Sequence, residues 1–274
     1  MRHIRPAYLA GVAAACLVAA SLTPAHAQED APRPAVSPSE RVANAQAIED
    51  SPFDINLTVA AMTDYVSLRG FTQTRRGPAV QATLDASYDD FHAGFFTSNV
   101  DFGTPEPDTE FDPFVAWRPS YGNWSFDVTA YYYFYLDNEA LNYPEIFSTA
   151  SYNFDDIATL GATFAYAPNY FGDDRETGTF YKANLSVPLP RDFSFSGSIG
   201  YQDFDKGLFD RHLVWDAGLT YTFEDTLSFD IRYHDTDLDP GRQCTGAFKC
   251  DATIVGTLSI STGLKALRKM ALAD

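Results

Sequence analysis

The feature that most constrains this chain is an alternation of apolar and polar residues with a period of two. In the segment 227–234, the apolar residues Leu227, Phe229, Ile231 and Tyr233 alternate with Ser228, Asp230, Arg232 and His234. Neighbouring side chains of a strand point to opposite faces, so this segment predicts a strand with one apolar and one wet face. The pattern returns at 124–134 and 213–223, in runs close to the ~9–11 residues that a tilted strand needs to cross a bilayer. The sequence therefore predicts an all-β protein, a transmembrane antiparallel up-and-down β-barrel.

The N-terminal segment has the organisation of a secretory signal peptide. Arg2 and Arg5 precede an apolar run, and Ala25-His26-Ala27 fits a cleavage site. The apolar run is shorter than the about 20 residues of a membrane-spanning helix. We therefore expect residues 1–27 to direct export and to be removed. Residues 28–52 contain prolines and many charges without a two-residue period, and we expect a periplasmic linker there.

The alternation predicts about 12 strands within residues 53–264. They are expected at 53–65, 79–89, 91–100, 109–118, 124–135, 144–154, 158–167, 179–187, 193–203, 212–223, 226–236 and 252–263. An even number of strands returns both ends of the barrel to the same side of the membrane. Because no strand edge can stay open in hydrocarbon, the first strand should pair with the last. We expect residues 265–274 to form a C-terminal tail.

The lengths of the connections support the same fold independently of hydrophobicity. Tight turns are predicted near 89–90, 120–123, 155–156, 188–192 and 224–225. Long loops are predicted near 66–78, 101–108, 136–143, 168–178, 204–211 and 237–251. Outer-membrane barrels alternate short periplasmic turns with long extracellular loops in this way. A secreted β-sandwich, the competing all-β fold, does not require that alternation.

Composition limits the partners of the protein. The formal net charge is -18 at pH 7, and this acidic balance argues against nucleic acid, because phosphate binding needs clustered Lys and Arg. The aromatic content of 15% is consistent with the aromatic girdles of a membrane barrel. We expect contact with outer-membrane lipid and lipopolysaccharide. Acidic loop residues such as Asp173, Asp174, Asp235, Asp237 and Asp239 either bridge to lipopolysaccharide through divalent cations or keep the surface solvated.

Cys244 and Cys250 remain after removal of the signal peptide. They lie six positions apart in one predicted loop. In an oxidising compartment such a pair forms a disulfide that pins its loop. A metal site is not expected there, because no His or further Cys is near in sequence.

Six charged residues fall on the predicted inward face of the strands. They are Asp85, Asp127, Lys182, Asp216, Asp230 and Arg232. In a water-filled lumen they would line the pore, and the excess of Asp would give weak cation selectivity. In the alternative, the same residues form an internal ion-pair network that closes the barrel. Twelve strands lie between filled eight-stranded barrels and open sixteen-stranded porins, so both interpretations stay open.

Arg69 and Gly70 stand where the first predicted strand meets its loop. In one interpretation Gly70 allows a bend and Arg69 reaches into the lumen as a seventh pore-lining residue. In the other, Gly70 marks a β-bulge and Arg69 pairs with a nearby Asp.

An enzyme is the competing functional class, because some outer-membrane barrels hydrolyse lipids with a Ser and a His. His234 shares a face with Ser228 but lies six residues along the same strand, beyond hydrogen-bond reach. No nucleophile elbow, metalloprotease motif or phosphate-binding glycine loop occurs in the sequence. We therefore expect neither catalysis nor a cofactor.

Several segments resemble the TorF family of proteobacterial porin-like proteins. The matches are Thr63-Asp64-Tyr65, Arg69-Gly70-Phe71-Thr72-Gln73-Thr74, Pro78-Ala79-Val80-Gln81, the segment 94–102, the aromatic run 131–135, Asn142-Tyr143-Pro144-Glu145 and the segment 167–171. The resemblance covers essentially all of 53–264. It implies a pore-forming barrel in the outer membrane and brings no substrate and no catalytic residue.

The expected function is passive diffusion of small polar solutes or ions across the outer membrane. The alternative is a closed outer-membrane barrel with a structural or surface-interaction role. The sequence leaves the oligomeric state open, since trimeric porins carry apolar patches that mimic a lipid-facing surface.

Overall fold

The computed structural model describes residues 51–103, 107–155, 157–172, 176–207, 210–244 and 246–266. The predicted signal peptide, the linker up to residue 50 and the tail from residue 267 lie outside these ranges. Within them, nearly all regular structure is β-strand. The exceptions are a short 3₁₀ helix, Glu139–Leu141, and a helical turn at 264–266. Among the described residues, no helix is both long and apolar enough to span a membrane.

In the described part of the chain, thirteen strands form one antiparallel sheet. They are β1 (Phe53–Met62), β2 (Ala79–Tyr88), β3 (Phe91–Asn99), β4 (Thr109–Trp117), β5 (Ser120–Tyr121), β6 (Trp124–Tyr135), β7 (Tyr143–Asn153), β8 (Thr159–Tyr170), β9 (Glu176–Leu189), β10 (Phe193–Phe204), β11 (His212–Phe223), β12 (Leu227–Thr236) and β13 (Thr253–Gly263). The two-residue β5 continues β4 in the same register along β6. The wall therefore consists of twelve strands, as predicted.

The sheet closes on itself. Each strand pairs with its neighbours in the chain, and β1 pairs with β13, for example Val59 with Ile260. The predicted pairing of the first and last strands is thus confirmed. Closure leaves no free strand edge, which is the condition for a sheet in hydrocarbon.

The outer face of the barrel is apolar. Leu57, Val115, Ile199, Ile231 and Leu258 are each more than a third exposed and point away from the lumen. Exposed aromatic side chains lie on the outer face at the strand ends next to the short turns, among them Tyr88, Phe91, Tyr121, Trp124 and Phe223. So large an apolar surface would drive aggregation in water and is stable against lipid, with the aromatic residues at the interface.

The two ends of the barrel differ, and we call them the turn end and the loop end. The turn end carries the first residue of β1, the last residue of β13 and the short turns. Two of these turns, Arg191-Asp192 and Glu224-Asp225, have positive φ at both residues, which matches the twist of tight hairpins. The loop end carries the connections 63–78, 100–108, 136–142, 171–175, 205–211 and 237–252. This alternation agrees with the predicted one.

Three strand boundaries differ from the prediction by three residues. β1 ends at Met62 instead of residue 65, because the chain leaves the wall there and turns into the barrel. β8 and β9 extend to Tyr170 and from Glu176, so the loop between them is shorter than predicted. The extension follows a register shift between Ala167 and Tyr170, and Tyr170 packs in the buried aromatic cluster of the loop end.

Candidate functional site: the lumen and the inward-folded first loop

Residues 63–78, which we call the plug loop, fold into the barrel from the loop end. Val66 and Thr72 form an isolated bridge, and Ser67 donates to the Phe71 carbonyl at 2.8 Å. Gly70 closes the turn by donating to the Ser67 carbonyl at 2.9 Å. These bonds satisfy backbone groups that leave the sheet, so the loop is a small folded hairpin.

Arg69 occupies the tip of the plug loop and is buried inside the barrel. Its guanidinium pairs with Glu145 of β7 and donates to Gln202 Oε1 of β10 at 2.6 Å. The guanidinium carbon also lies 4.7 Å from the centre of the Tyr170 ring. The Arg69 and Glu145 side chains are 5% and 0% exposed, so water does not reach this pair.

Burial and the neighbouring negative charge have opposite effects on the pKa of Arg69. Burial by itself lowers the pKa of the guanidinium, but the adjacent Glu145 carboxylate more than offsets it, and the pKa is raised above its ordinary value. Tyr65, at the base of the plug loop, donates to Glu110 Oε1 at 3.0 Å. Burial, together with the charge of Glu110, raises the pKa of Tyr65 well above its usual value of 10.0. Arg69 therefore stays charged and Tyr65 stays neutral at physiological pH.

The tip of the plug loop is fixed against the wall formed by β11 and β12. His212 Nε2 lies 2.9 Å from the Arg69 carbonyl oxygen, and the Phe71 ring meets the His212 ring edge-on. Gly70 has φ +84°, and a Cβ there would collide with Thr236 Cγ2 of β12 and lie 2.9 Å from Val214 Cγ2 of β11. Both the backbone conformation and the close approach require glycine.

The last loop, 237–252, holds the plug loop from above. The Lys249 carbonyl accepts from the Thr72 amide at 2.8 Å, and Arg76 donates to the Asp251 carbonyl at 2.6 Å. Cys244 and Cys250 are at disulfide distance with their Cα atoms 5.2 Å apart, as predicted. Both cysteines are buried against Leu238 and Phe71. The cross-linked loop and the plug loop are thus one packed unit.

Aromatic side chains fill much of the interior at the loop end. The buried cluster consists of Val100, Phe102, Tyr135, Leu141, Tyr143, Ala167, Tyr170 and Phe204. Phe171 and Phe248 pack against it, with the Phe248 ring 5.1 Å from that of Phe102. The lumen at the loop end is therefore occupied by a packed layer of side chains.

The lumen nearer the turn end is polar, and its charges pair along the wall. On one side Arg118 bonds Asp85 at 2.6 Å and Asp127 at 2.8 Å, and His92 Nδ1 lies 2.8 Å from Asp85. The pairs connect β2, β3 and β6 through the residue that follows β4. Arg118 is not among the predicted lumen residues, although it is the last residue of the predicted strand 109–118.

The opposite side of the lumen carries a second network. Arg232 of β12 bonds Asp216 of β11 at 2.5 Å and Asp230 at 3.0 Å. Ser196 of β10 accepts from the same guanidinium at 2.7 Å. Gly218 leaves room for it, since a Cβ there would lie 2.8 Å from Arg232 Cζ. All three charged residues belong to the predicted pore-lining set.

A cavity of about 560 Å³ lies below the plug loop on this side. Val66, Ser67 and Leu68 form its roof. Its wall includes Thr163, Lys182, Asn184, Ser186, Ser196, Ser198, Asp216, Arg232 and His234. Lys182 is half-buried and makes no hydrogen bond or ion pair within the part of the chain that the structure describes.

The predicted site residues thus divide into three groups. Asp85 and Asp127 lie in one network and Asp216, Asp230 and Arg232 in the other, while Lys182 faces the cavity; a pore-lining role for all six stays a prediction. Arg69 reaches the interior, but its partner is Glu145, not the Asp expected in one interpretation, and Gly70 forms a tight turn, not a bulge. Sequence reasoning missed Glu145 and Gln202, although both fall on the inward phase of predicted strands. No group of three or more metal-ligating residues occurs among the described residues.

Comparisons with known proteins agree with the fold. The NanC porin has 10% identity to this chain and a TM-score of 0.54, covering 75% of this chain and 98% of that one. The KdgM porin has 7% identity and a TM-score of 0.50, covering 76% and 97%. At such low identities, the structural similarity shows the barrel fold alone. No curated protein matches the chain by sequence. Residues 46–261 match the family described as "Bacterial protein of unknown function (Gcw_chp)", and the chain belongs to this family.

Proposed function

We propose that this protein is an outer-membrane channel for passive diffusion of small polar solutes or ions. The observation that carries the proposal is a closed barrel with an apolar outer face, a charged inner face and a polar cavity of about 560 Å³ below the plug loop. Ionised groups that line a water-filled passage bias by their sign which solutes cross it. The TorF resemblance points in the same direction. The turn end would face the periplasm and the loop end the exterior.

The plug loop would set the size of the passage. Loops folded into a barrel narrow its lumen, and here the Arg69–Glu145 pair crosses the interior from the plug loop to β7. The tip also contacts His212 and Val214 on the other side. We therefore propose that a solute crosses the barrel in one of two ways: the plug loop shifts, or the solute passes beside the loop.

A weak preference for cations follows from the inward charges. The carboxylates are Asp85, Asp127, Glu145, Asp216 and Asp230, and the cations are Arg69, Arg118, Lys182 and Arg232. Carboxylates predominate, and a lumen with excess negative charge favours cations. The preference should be weak, because Arg118 and Arg232 neutralise much of the accessible negative charge.

A closed barrel is the second candidate, and a specific observation favours it. The aromatic layer at the loop end is packed, with Tyr135 and Phe204 nearly inaccessible to water. If the plug loop never moves, the protein would serve as a structural or surface-interaction barrel. In either case we propose that lipid and lipopolysaccharide surround the outer face. We also propose that the protein has no catalytic activity, since Ser228 forms a hydrogen bond with Ser259 and not with His234.

Single-channel recording tests the two candidates. The full chain, purified from membranes in detergent, would be inserted into a planar bilayer under a salt gradient. Discrete conductance steps with a reversal potential on the cation side would support the channel. A heat-resistant, folded barrel that inserts without conductance would overturn it in favour of the closed barrel.

A further inference from the structure

The cavity below the plug loop carries a row of unused donors on strand β9. Lys182, Asn184 and Ser186 alternate with outward-facing residues and all line the cavity. Their Cα atoms span about 13 Å, since a strand rises about 3.3 Å per residue. Within the described residues, none of the three side chains makes a hydrogen bond to another protein group. Three half-buried donors without protein partners are available to a ligand.

The other charged groups around this cavity are already paired. Asp216 accepts from Arg232 and from Ser198, and Asp230 accepts from Arg232 and Thr220. Among the described residues, Lys182 is therefore the Lys or Arg side chain of the cavity that is left for a solute, and His234 lines the same cavity. Gly161 leaves room for the Asn184 side chain in this position, because a Cβ at Gly161 would lie 2.8 Å from Asn184 Oδ1.

We propose that β9 forms a binding site for a small hydroxylated carboxylate with a single negative charge. Lys182 would bind the carboxylate, and Asn184 and Ser186 would bind hydroxyl groups further along the wall. A single charge is favoured because the Arg232 network next to Lys182 has one guanidinium and two carboxylates, which would repel a second anionic group. This inference deepens the proposed channel function by naming a solute class, and it rests on that function for transport but not for binding.

Weak cation preference and an anion site are compatible. Ion preference reflects the net charge of the whole passage, whereas binding reflects the local donors that lack partners. Lys182 supplies both the ligand contact and one positive charge of the lumen.

Equilibrium dialysis of radiolabelled gluconate against the full chain in detergent tests the site. Sorbitol serves as the neutral six-carbon control. We expect Lys182→Met to weaken gluconate binding by about tenfold or more, the effect of one charge-assisted hydrogen bond, and to leave sorbitol binding unchanged. Lys182→Arg should retain most of the affinity. Lys206→Met, which removes a charge from an exposed loop residue, should have no effect.

The outcomes separate this site from the channel. Equal binding of gluconate and sorbitol, or unchanged gluconate binding in Lys182→Met, would overturn the site. Gluconate binding that depends on Lys182 in a barrel without conductance would support the site and refute the channel. Conductance without such binding would support the channel and refute the site.

Discussion

Arg69 of the plug loop and Glu145 of β7 form an ion pair across the barrel interior, with side chains that are 5% and 0% exposed. The second oxygen of Glu145 has no hydrogen-bond partner among the described residues. A buried carboxylate of this kind depends on its cation, because desolvation is compensated only by the pairing. The position of the plug loop is therefore coupled to one electrostatic contact.

Removing the cation should release the plug loop. In Arg69→Ala, Glu145 would be left buried and unpaired, at a cost of about 3–5 kcal/mol in unfolding free energy. We expect a lower melting temperature and a larger, noisier single-channel conductance. Arg75→Ala is the matched control in the same loop, since the Arg75 side chain is 48% exposed. Adding Glu145→Gln to Arg69→Ala should recover part of the stability. A variant with wild-type melting and conductance would show that the pair does not hold the loop.

Gly70 and Gly103 provide a test of close packing at the loop tip. Both have positive φ, but a Cβ at Gly70 meets Val214, whereas nothing lies within 4 Å of one at Gly103. Gly70→Ala and Gly103→Ala should share a cost of about 1–2 kcal/mol from the left-handed conformation. Gly70→Ala should lose a further 1–3 kcal/mol, roughly, from overpacking. Thermal unfolding followed by heat-dependent gel mobility measures the difference, and equal losses would contradict the observed contact.

The Cys244–Cys250 cross-link should stabilise the last loop over the plug loop. Reduction, or Cys244→Ser with Cys250→Ser, removes a constraint on a short loop and should cost about 2 kcal/mol. Because the Lys249 carbonyl binds Thr72, we expect faster trypsin cleavage after Lys249 and more frequent channel openings. Cleavage after Arg191, in a turn at the other end of the barrel, should not change. Identical cleavage rates at Lys249 with and without reductant would argue against a pinned loop.

Charge substitutions in the lumen should shift ion preference in a defined direction. Arg232→Met frees Asp216 and Asp230, and Arg118→Met frees Asp85 and Asp127. Each change removes one positive charge from the lumen, so the reversal potential in a salt gradient should move toward greater cation preference. Lys206→Met controls for net charge outside the lumen. An unchanged reversal potential, or a shift toward anions, would contradict an accessible lumen at these positions.

The raised pKa of Tyr65 predicts that the folded protein loses stability at alkaline pH. Burial and Glu110 raise the pKa of Tyr65 above 10.0, so above that pH the unfolded chain releases a proton that the folded chain retains. Stability is then complete below about pH 10 and falls as pH rises further. Tyr65→Phe should flatten the decline in melting temperature between about pH 9 and 11. Tyr88→Phe, at an exposed position, should not. Parallel declines in the wild type and in Tyr65→Phe would refute the contribution of Tyr65.

The barrel itself could be predicted from the sequence because strand alternation is a local property. In β12, Ile231 and Arg232 take opposite faces whatever the rest of the chain does. The same periodicity placed Asp216 and Lys182 inward, and the spacing of Cys244 and Cys250 predicted their pairing. The turn residues and loop lengths fixed which ends of the strands meet.

The plug loop and its contacts depended on the tertiary structure. Arg69 meets Glu145 and Gln202 only because closure of the sheet brings β7 and β10 around a common interior, and no local pattern encodes that distance. The same closure brings Arg232 next to Asp216 and Asp230, and it leaves Lys182 at the cavity without an ion pair among the described residues. Periodicity determines which face a side chain occupies, whereas its partner depends on how strands distant in sequence are arranged in space.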